Sequence, residues 1–358
     1  MFNKSALFSS LLLATSLTLS NSAIAQSSQS LYQATAPVSD QSNTARNAAI
    51  KWMFGQVLVK VSGQSKITEH PTIQQEISKA LSYASGFGFN QTDSGKELAV
   101  TFNEQLIDDL LKQNGFTLWD AERPSVMLWL VYEDEQGNRQ ILNEQSAPEL
   151  LADIKQIAKV RGLPLLVPLW DLDDQMVVSA GDVWGQFEDK VAVANARYRS
   201  DYMILAKVTN YGFSKNVSWS VFKMGSDVDI FGQTTAEISM TGSDDATSLN
   251  AAFNEIINQS TDFFAQQYSV DTSASDGDLM VTLTNINSLQ RYAEAVAYLK
   301  TIKAVENVVL VKVKANEYSF KVQLLGSRNA FLDLINLGTK MSQIMNYDQS
   351  LVLFEWRG

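Results

Sequence analysis

The stretch that most constrains the fold covers residues 161–198 and continues into an apolar segment at 201–206. It contains an apolar run with prolines at Pro164 and Pro168, then an acidic turn, a helical pattern and the second apolar segment. Proline cannot donate to a strand ladder, so the buried part of the first strand should be short or lie where a sheet ends. The order strand, helix, strand predicts the β-α-β centre of an α/β domain.

The helical pattern in this stretch has a clear start. Ser179, followed three residues later by Asp182, resembles a capping box in which Asp replaces Glu. Apolar residues then recur at helical spacing, which predicts one continuous helix with a single core-facing side. The residues of that side are Val183, Phe187, Val191, Ala194 and Tyr198.

The first 25 residues predict export. Lys4 gives a positive start, residues 6–19 are apolar, and Ala23-Ile24-Ala25 is a small-x-small cleavage site, which together are typical of a signal peptide. The apolar run is shorter than the about 20 residues that a spanning helix needs. The sequence contains no cysteine, which excludes disulfides and thiolate metal sites. We therefore expect a periplasmic protein with no transmembrane segment in the mature chain.

The net charge of the chain limits the kinds of molecule that it is expected to bind. The chain carries a formal net charge of −11. Nucleic acids and anionic lipids are bound mainly by Lys and Arg, so this acidity argues against both, and against nucleic acid in particular. We expect an envelope protein as the partner.

The order of predicted elements indicates a mixture of α/β and α+β folds, arranged as three small modules in tandem. Residues 26–121 predict an N-terminal α+β module, and residues 122–268 a central α/β module. Residues 269–278 are polar and rich in Ser and Asp, which is typical of a linker. Residues 279–358 follow the order β-α-β-β-α-β, which predicts a ferredoxin-like module.

The residues offer little for catalysis. The chain has one histidine and no cysteine, so it lacks the base and thiol of Ser-His-Asp and Cys-His sites. Four aspartates near the central stretch could donate oxygen to a hard cation, but their spacing does not follow a calcium loop, and carboxylates are favoured near helix starts in any case. We expect no metal, no cofactor and no catalytic residue. The candidates for binding a ligand or partner are Trp170, Asp171, Asp173, Asp174, Asp182 and Trp184.

Short motifs along residues 31–268 carry a family resemblance. They are Tyr32-Gln33-Ala34, Pro37-Val38, residues 57–63, Arg123-Pro124, residues 161–164, residues 168–173, residues 182–185 and Ala196-Arg197-Tyr198. Together they resemble an exported gammaproteobacterial family of domains of unknown function, DUF2066. The resemblance implies an envelope or periplasmic protein and transfers no site. More loosely, residues 196–206 are similar to the N-terminal α/β domain of TolB and of the curli-secretion lipoprotein.

Three hypotheses about function follow. The first is a non-catalytic periplasmic adaptor or envelope-assembly factor that binds another protein through a sheet edge or beside the acidic loop after Trp170. The second is a hydrolase of cell-wall glycan or peptide that uses carboxylates between Asp171 and Asp182. The third is a carrier of an apolar ligand.

Overall fold

The computed structural model describes residues 31–93, 95–228, 234–273, 275–344 and 351–358, without the side chains of 226–228 and 234. The predicted signal peptide, residues 1–25, lies outside the described residues. The strands are β1 (Gln33–Pro37), β2 (Ala84–Thr92), β3 (Gly95–Phe102), β4 (Leu118–Trp119), β5 (Val126–Glu133), β6 (Arg139–Ile141), β7 (Leu165–Leu166), β8 (Tyr202–Asn210), β9 (Lys215–Val228), β10 (Thr234–Ala246), β11 (Ser269–Val270), β12 (Asp278–Thr284), β13 (Val305–Lys314), β14 (Glu317–Leu324), β15 (Met341–Ile344) and β16 (Leu351–Trp356). The α-helices are α1 (Asn43–Ser62), α2 (Pro71–Ser78), α3 (Glu104–Gln113), α4 (Pro148–Arg161), α5 (Leu172–Val177), α6 (Ala180–Trp184), α7 (Glu188–Asn195), α8 (Leu249–Tyr268), α9 (Leu289–Thr301) and α10 (Arg328–Leu337).

The N-terminal sheet has the order β1-β3-β2 and is antiparallel throughout. Helix α1 supplies the largest share of its core, with Phe54 and Val57 fully buried. The helix begins where the Ser42 hydroxyl accepts the Ala45 N–H at 3.2 Å, and it ends at Gly63, whose φ is 75°. A Cβ at Gly63 would lie 2.2 Å from the Cβ of Ala265 on α8, so only glycine fits both the backbone and the contact.

The central sheet has the order β10-β9-β8-β5-β6, with β7 also pairing with β5. Strands β7 and β8 both run parallel to β5, as the predicted β-α-β centre requires. One face packs against α4 and α8, and the other against α6 and α7. Strand β7 has only two residues, so the prolines confine the first strand to a short piece, as expected.

The prediction of one continuous helix after Ser179 is wrong. Helix α6 ends at Trp184, the chain reverses at Gln186, whose φ is 54°, and α7 begins at Glu188. The break turns Phe187 away from the core, where it is 55% exposed. Its ring instead lies over Gly185, where a Cβ would approach within 2.8 Å. A glycine after the first turn of the pattern was the one sequence signal for this stop.

The C-terminal sheet has the order β13-β14-β12-β16-β15. Strands β12 and β16 are parallel and their other neighbours are antiparallel, which is the predicted β-α-β-β-α-β arrangement with β15 added at one edge. Helices α9 and α10 pack against one face, around the buried rings of Phe320, Phe331 and Phe354. The fold class predicted from the sequence, mixed α/β and α+β, is confirmed.

Two buried arginines join the N-terminal and central sheets. The Arg123 guanidinium stacks on Trp119 and donates to the carbonyls of Lys60 at 2.7 Å and Gly162 at 2.9 Å, near the C-terminal ends of α1 and α4. Arg161 donates to the Gly63 carbonyl at 2.7 Å and to the Asp262 carboxylate on α8 at 2.6 Å. Backbone carbonyls at helix ends need donors, so these cations stabilise several elements at once.

Lys303, between α9 and β13, joins the C-terminal sheet to the N-terminal one. Its ammonium lies 2.5 Å from the Glu104 carboxylate and 2.7 Å from that of Asp108, and its backbone N–H donates to Asp120 at 2.6 Å. The expected linker also makes contacts, because β11 pairs with β4 and the Ser275 hydroxyl donates to the Leu324 carbonyl at 2.6 Å. Specific contacts therefore connect the N-terminal, central and C-terminal sheets. The division of the chain into tandem modules stays a prediction.

Candidate functional site

The acidic loop after β7 is a tight turn held by its own side chains. Trp170 has a φ of 54°, in the left-handed region, and the next residue caps α5. The Asp171 carboxylate accepts the Asp174 N–H at 3.1 Å, which satisfies one of the free donors of the first helical turn. The turn therefore places three aspartates within a single short segment.

Asp174 is fully buried and forms the centre of this turn. One carboxylate oxygen accepts the Trp170 N–H at 2.9 Å and the Tyr198 hydroxyl at 2.6 Å, while the other accepts Arg197 at 3.1 Å. The same tyrosine oxygen accepts the Leu169 N–H at 3.0 Å. A buried carboxylate is costly unless it is paired and hydrogen-bonded, and here both conditions are met.

Arg197 is the cation of the acidic loop and offsets part of the loop's negative charge. Its guanidinium forms a two-pronged pair with Asp171, at 2.7 and 2.9 Å. The Arg197 hydrogen bond, assisted by the Asp174 N–H, lowers the pKa of Asp171 to about 2. Asp173 lies 4.0 Å from the same guanidinium and is 73% exposed, so it faces solvent. The structure thus brings Trp170, Asp171 and Asp174 together around Arg197, with Asp173 at the rim.

Asp182 and Trp184 serve separate local roles. The predicted capping box is present, because Ser179 and Asp182 exchange hydrogen bonds between side chain and backbone. Lys190 at 2.7 Å, followed by Ser179, lowers the pKa of Asp182 to about 2. The Arg139 guanidinium lies over the Trp184 ring, with its carbon 4.1 Å from the centre of the ring. Among the described residues, no hydrogen bond or ion pair connects Asp182 with the three aspartates of the loop.

The carboxylates of Asp171 and Asp182 are better suited to holding the backbone in place than to transferring protons. A general acid needs a pKa near the working pH, whereas Asp171 and Asp182 are both held near 2 and are charged at neutral pH. In the ranges that the structure describes, no three His, Asp or Glu side chains are grouped so that they could hold a metal ion. What the loop does hold in place is the backbone of Trp170 and the start of α5.

The outer side of the loop is apolar. Four aliphatic side chains project from the turn and from α5, with exposed fractions of 58% for Leu169, 70% for Leu172, 69% for Met176 and 43% for Val177. We call these four residues the α5 surface. The sequence analysis did not predict a role for these four residues. The signal for them was the spacing of Leu172 and Met176, which are four residues apart on a short helix that also carries two aspartates and Gln175.

A cavity of about 690 Å³ lies between the central sheet and α10. Charged and polar groups contribute much of its lining, including Arg199, Asp201, Lys223, Tyr268 and Asp333. Burial raises the pKa of Asp333, and the Lys223 ammonium opposes that rise. Such a lining does not favour an apolar ligand, so the cavity gives no support to the carrier hypothesis.

Comparison with known proteins gives families without assigned activities. Residues 25–120 match the family described as Domain of unknown function (DUF8605), and residues 278–351 match DUF2066. No curated protein matches the chain. Among solved structures, the LpoB C-terminal domain from Salmonella enterica is 16% identical, with 40% of this chain and 94% of that chain covered and a TM-score of 0.22.

Two further findings complete the comparison. In the described part of the chain, no helix combines the length and apolar character that crossing a bilayer requires. The family named from the sequence motifs is confirmed, but those motifs lie in residues 31–268, whereas the match lies further along. The chain therefore contains a DUF2066 segment, which covers the C-terminal sheet and its helices as far as Leu351, the first residue of β16.

Proposed function

We propose that this chain is an exported, non-catalytic protein that binds another protein of the cell envelope through the α5 surface. The observation that carries the proposal is the contrast between the two sides of the loop after β7. The inner side is an ion-paired network around the fully buried Asp174. The outer side presents four aliphatic side chains that are 43–70% exposed.

The exposed α5 surface is energetically costly in water. Exposed aliphatic groups that lie next to one another leave apolar surface in water, and on soluble proteins such patches commonly mark binding sites for other proteins. A fixed backbone also lowers the ordering cost of association, since less freedom is lost on binding. Arg197, Tyr198 and Asp174 supply that fixed backbone.

The charge at the rim indicates the kind of partner. Asp173 is exposed beside the α5 surface, and the chain as a whole is acidic. We therefore infer a partner with an apolar pocket bordered by Lys or Arg. We infer export from the signal-peptide pattern of residues 1–25. An exported protein is expected to meet its partner in the envelope. Cell fractionation with mass spectrometry tests this step, and the expected mature N-terminus is Gln26.

Site-specific photo-crosslinking in intact cells tests the surface. A photoreactive residue at Leu172 or at Met176 should give one adduct of the same defined mass, because both side chains point outward from α5. Leu289 is the matched control, since it is an aliphatic residue that is 80% exposed at the start of α9. The proposal predicts no such adduct there. Equal labelling at Leu289, or no adduct at either α5 position, would contradict it.

A further inference from the structure

Strand β13 lies at an open edge of the C-terminal sheet. It pairs with β14 on one side, and no strand among the described residues pairs with its other side. The strand is ten residues long. An edge strand offers a row of unpaired N–H and C=O groups to any other strand, so its outer side is a template for pairing.

The side chains of this edge are unusually apolar for an exposed strand. Val309, Leu310, Val311 and Val313 are 39–57% exposed. Natural proteins usually place charges, prolines or short strands at such edges, which prevents association. A long edge rich in exposed valine is the opposite case and indicates a surface that is covered in solution.

The charges on β13 indicate what covers it. Glu306 lies near the start of the strand, and Lys312 and Lys314 lie at its end. We propose that β13 pairs antiparallel with β13 of a second copy of this chain, centred on Leu310. In that arrangement the acidic start of each strand lies beside the basic end of the other. Val309, Leu310 and Val311 of both copies then meet around the two-fold axis.

Two features of the strand oppose pairing in general. Lysines on an edge commonly keep other strands away, and the pairing of β13 with β14 is irregular between Val305 and Asn307 and between Leu310 and Lys312. In a symmetric pair centred on Leu310, Lys314 becomes attractive because it faces Glu306 of the other copy, whereas Lys312 faces Val308. The match is specific to a second copy, since the strand supplies both members of each charge pair.

A charge exchange tests the pairing through the oligomeric state of the full chain, measured by sedimentation over a range of concentrations. Glu306→Lys places like charges opposite Lys314, and Lys314→Glu places them opposite Glu306. Each single change should weaken the dimer about tenfold. The double variant restores both pairs in reverse and should recover the dimer. With a partner of any other sequence, the double variant would not recover binding.

The absence of cysteine from the natural sequence allows a second test. Leu310→Cys should form a disulfide-linked dimer under oxidation, because paired residues at a two-fold axis have Cα atoms about 4.5–5.5 Å apart. Val313→Cys is the matched control. In the same register its two copies lie about 20 Å apart, since six residues of strand separate them, so no disulfide should form.

Each outcome decides the proposal. Native protein that stays monomeric at all concentrations overturns it, including the case in which another segment of the same chain covers β13. A dimer that is unaffected by the single changes, or that the double variant fails to restore, places the contact elsewhere. Equal crosslinking at positions 310 and 313 overturns the register.

Discussion

Arg197 determines the chemistry of the acidic loop. From the sequence, the four neighbouring aspartates were candidates for binding a ligand or partner, with cation binding and proton transfer as the less favoured alternatives. The guanidinium takes the place that a cation would fill, with two bonds to Asp171 and one to Asp174. Sequence analysis could not find this pairing, because 26 residues separate Arg197 from Asp171 and no short-range pattern links them.

The first prediction concerns the pKa of Asp171. The carboxyl group should titrate near pH 2 in the native protein, and Arg197→Gln should return its pKa toward the ordinary value of about 3.9. Carboxyl ¹³C NMR measures both. Asp182 is the internal control, because Lys190 holds its pKa near 2 independently of Arg197.

The lowered pKa of Asp171 determines how its contribution to the stability of the fold changes with pH. Because the folded state favours the charged carboxylate, the stabilising contribution of Asp171 is complete above its unfolded pKa. It is lost as the pH falls from about 4 through the folded value of about 2. Titration of native Asp171 near pH 4 would show that the ion pair does not form in solution.

At the scale of elements, short-range sequence signals predicted the helix cap correctly, but they did not predict the point at which the helical pattern is interrupted. The capping box at Ser179 and Asp182 was recognisable because its residues are three positions apart and act on the same turn. The break after Trp184 was not, because the apolar positions on either side still fit a single helix. The strand order of the C-terminal sheet was predictable, since its apolar runs are clean and separated by short turns.

The second prediction concerns the start of α6. Ser179→Ala removes the hydroxyl that accepts the Asp182 N–H and should lower the free energy of unfolding by about 1 kcal/mol. Ser179→Asn keeps a side-chain oxygen at the cap and should stay close to the native value. Chemical denaturation measures both variants. An equal loss in the two would mean that the cap does not stabilise the helix.

At the scale of the whole molecule, the three sheets are connected by contacts between residues far apart in sequence. Strands β4 and β11 pair although about 150 residues separate them, and Lys303 reaches carboxylates nearly 200 residues away. Periodicity reports neighbours along the chain, so it predicted most strands and helices within each module but none of these joints.

The third prediction concerns the joint at Lys303. Lys303→Met leaves the buried Asp108 without its cation and should cost about 3 kcal/mol. Amide hydrogen exchange should become faster around residues 118–122 and 302–305, where the backbone contact with Asp120 lies. Lys300→Met, at an exposed position on α9, is the matched control and should leave exchange unchanged. Equal protection in both variants would show that the ammonium does not hold the sheets together.

The position of Arg123 has a consequence for what should be expressed as a fragment. A piece ending at residue 120 keeps all of the DUF8605 match but omits the guanidinium of Arg123, which donates to the last turn of α1. It also loses the Arg161 donor to the Gly63 carbonyl. We therefore expect the segment that the family match covers to be shorter than the segment able to fold. Truncations that end at the family boundary should aggregate, whereas truncations that extend through α8 keep both arginine donors and should stay dispersed.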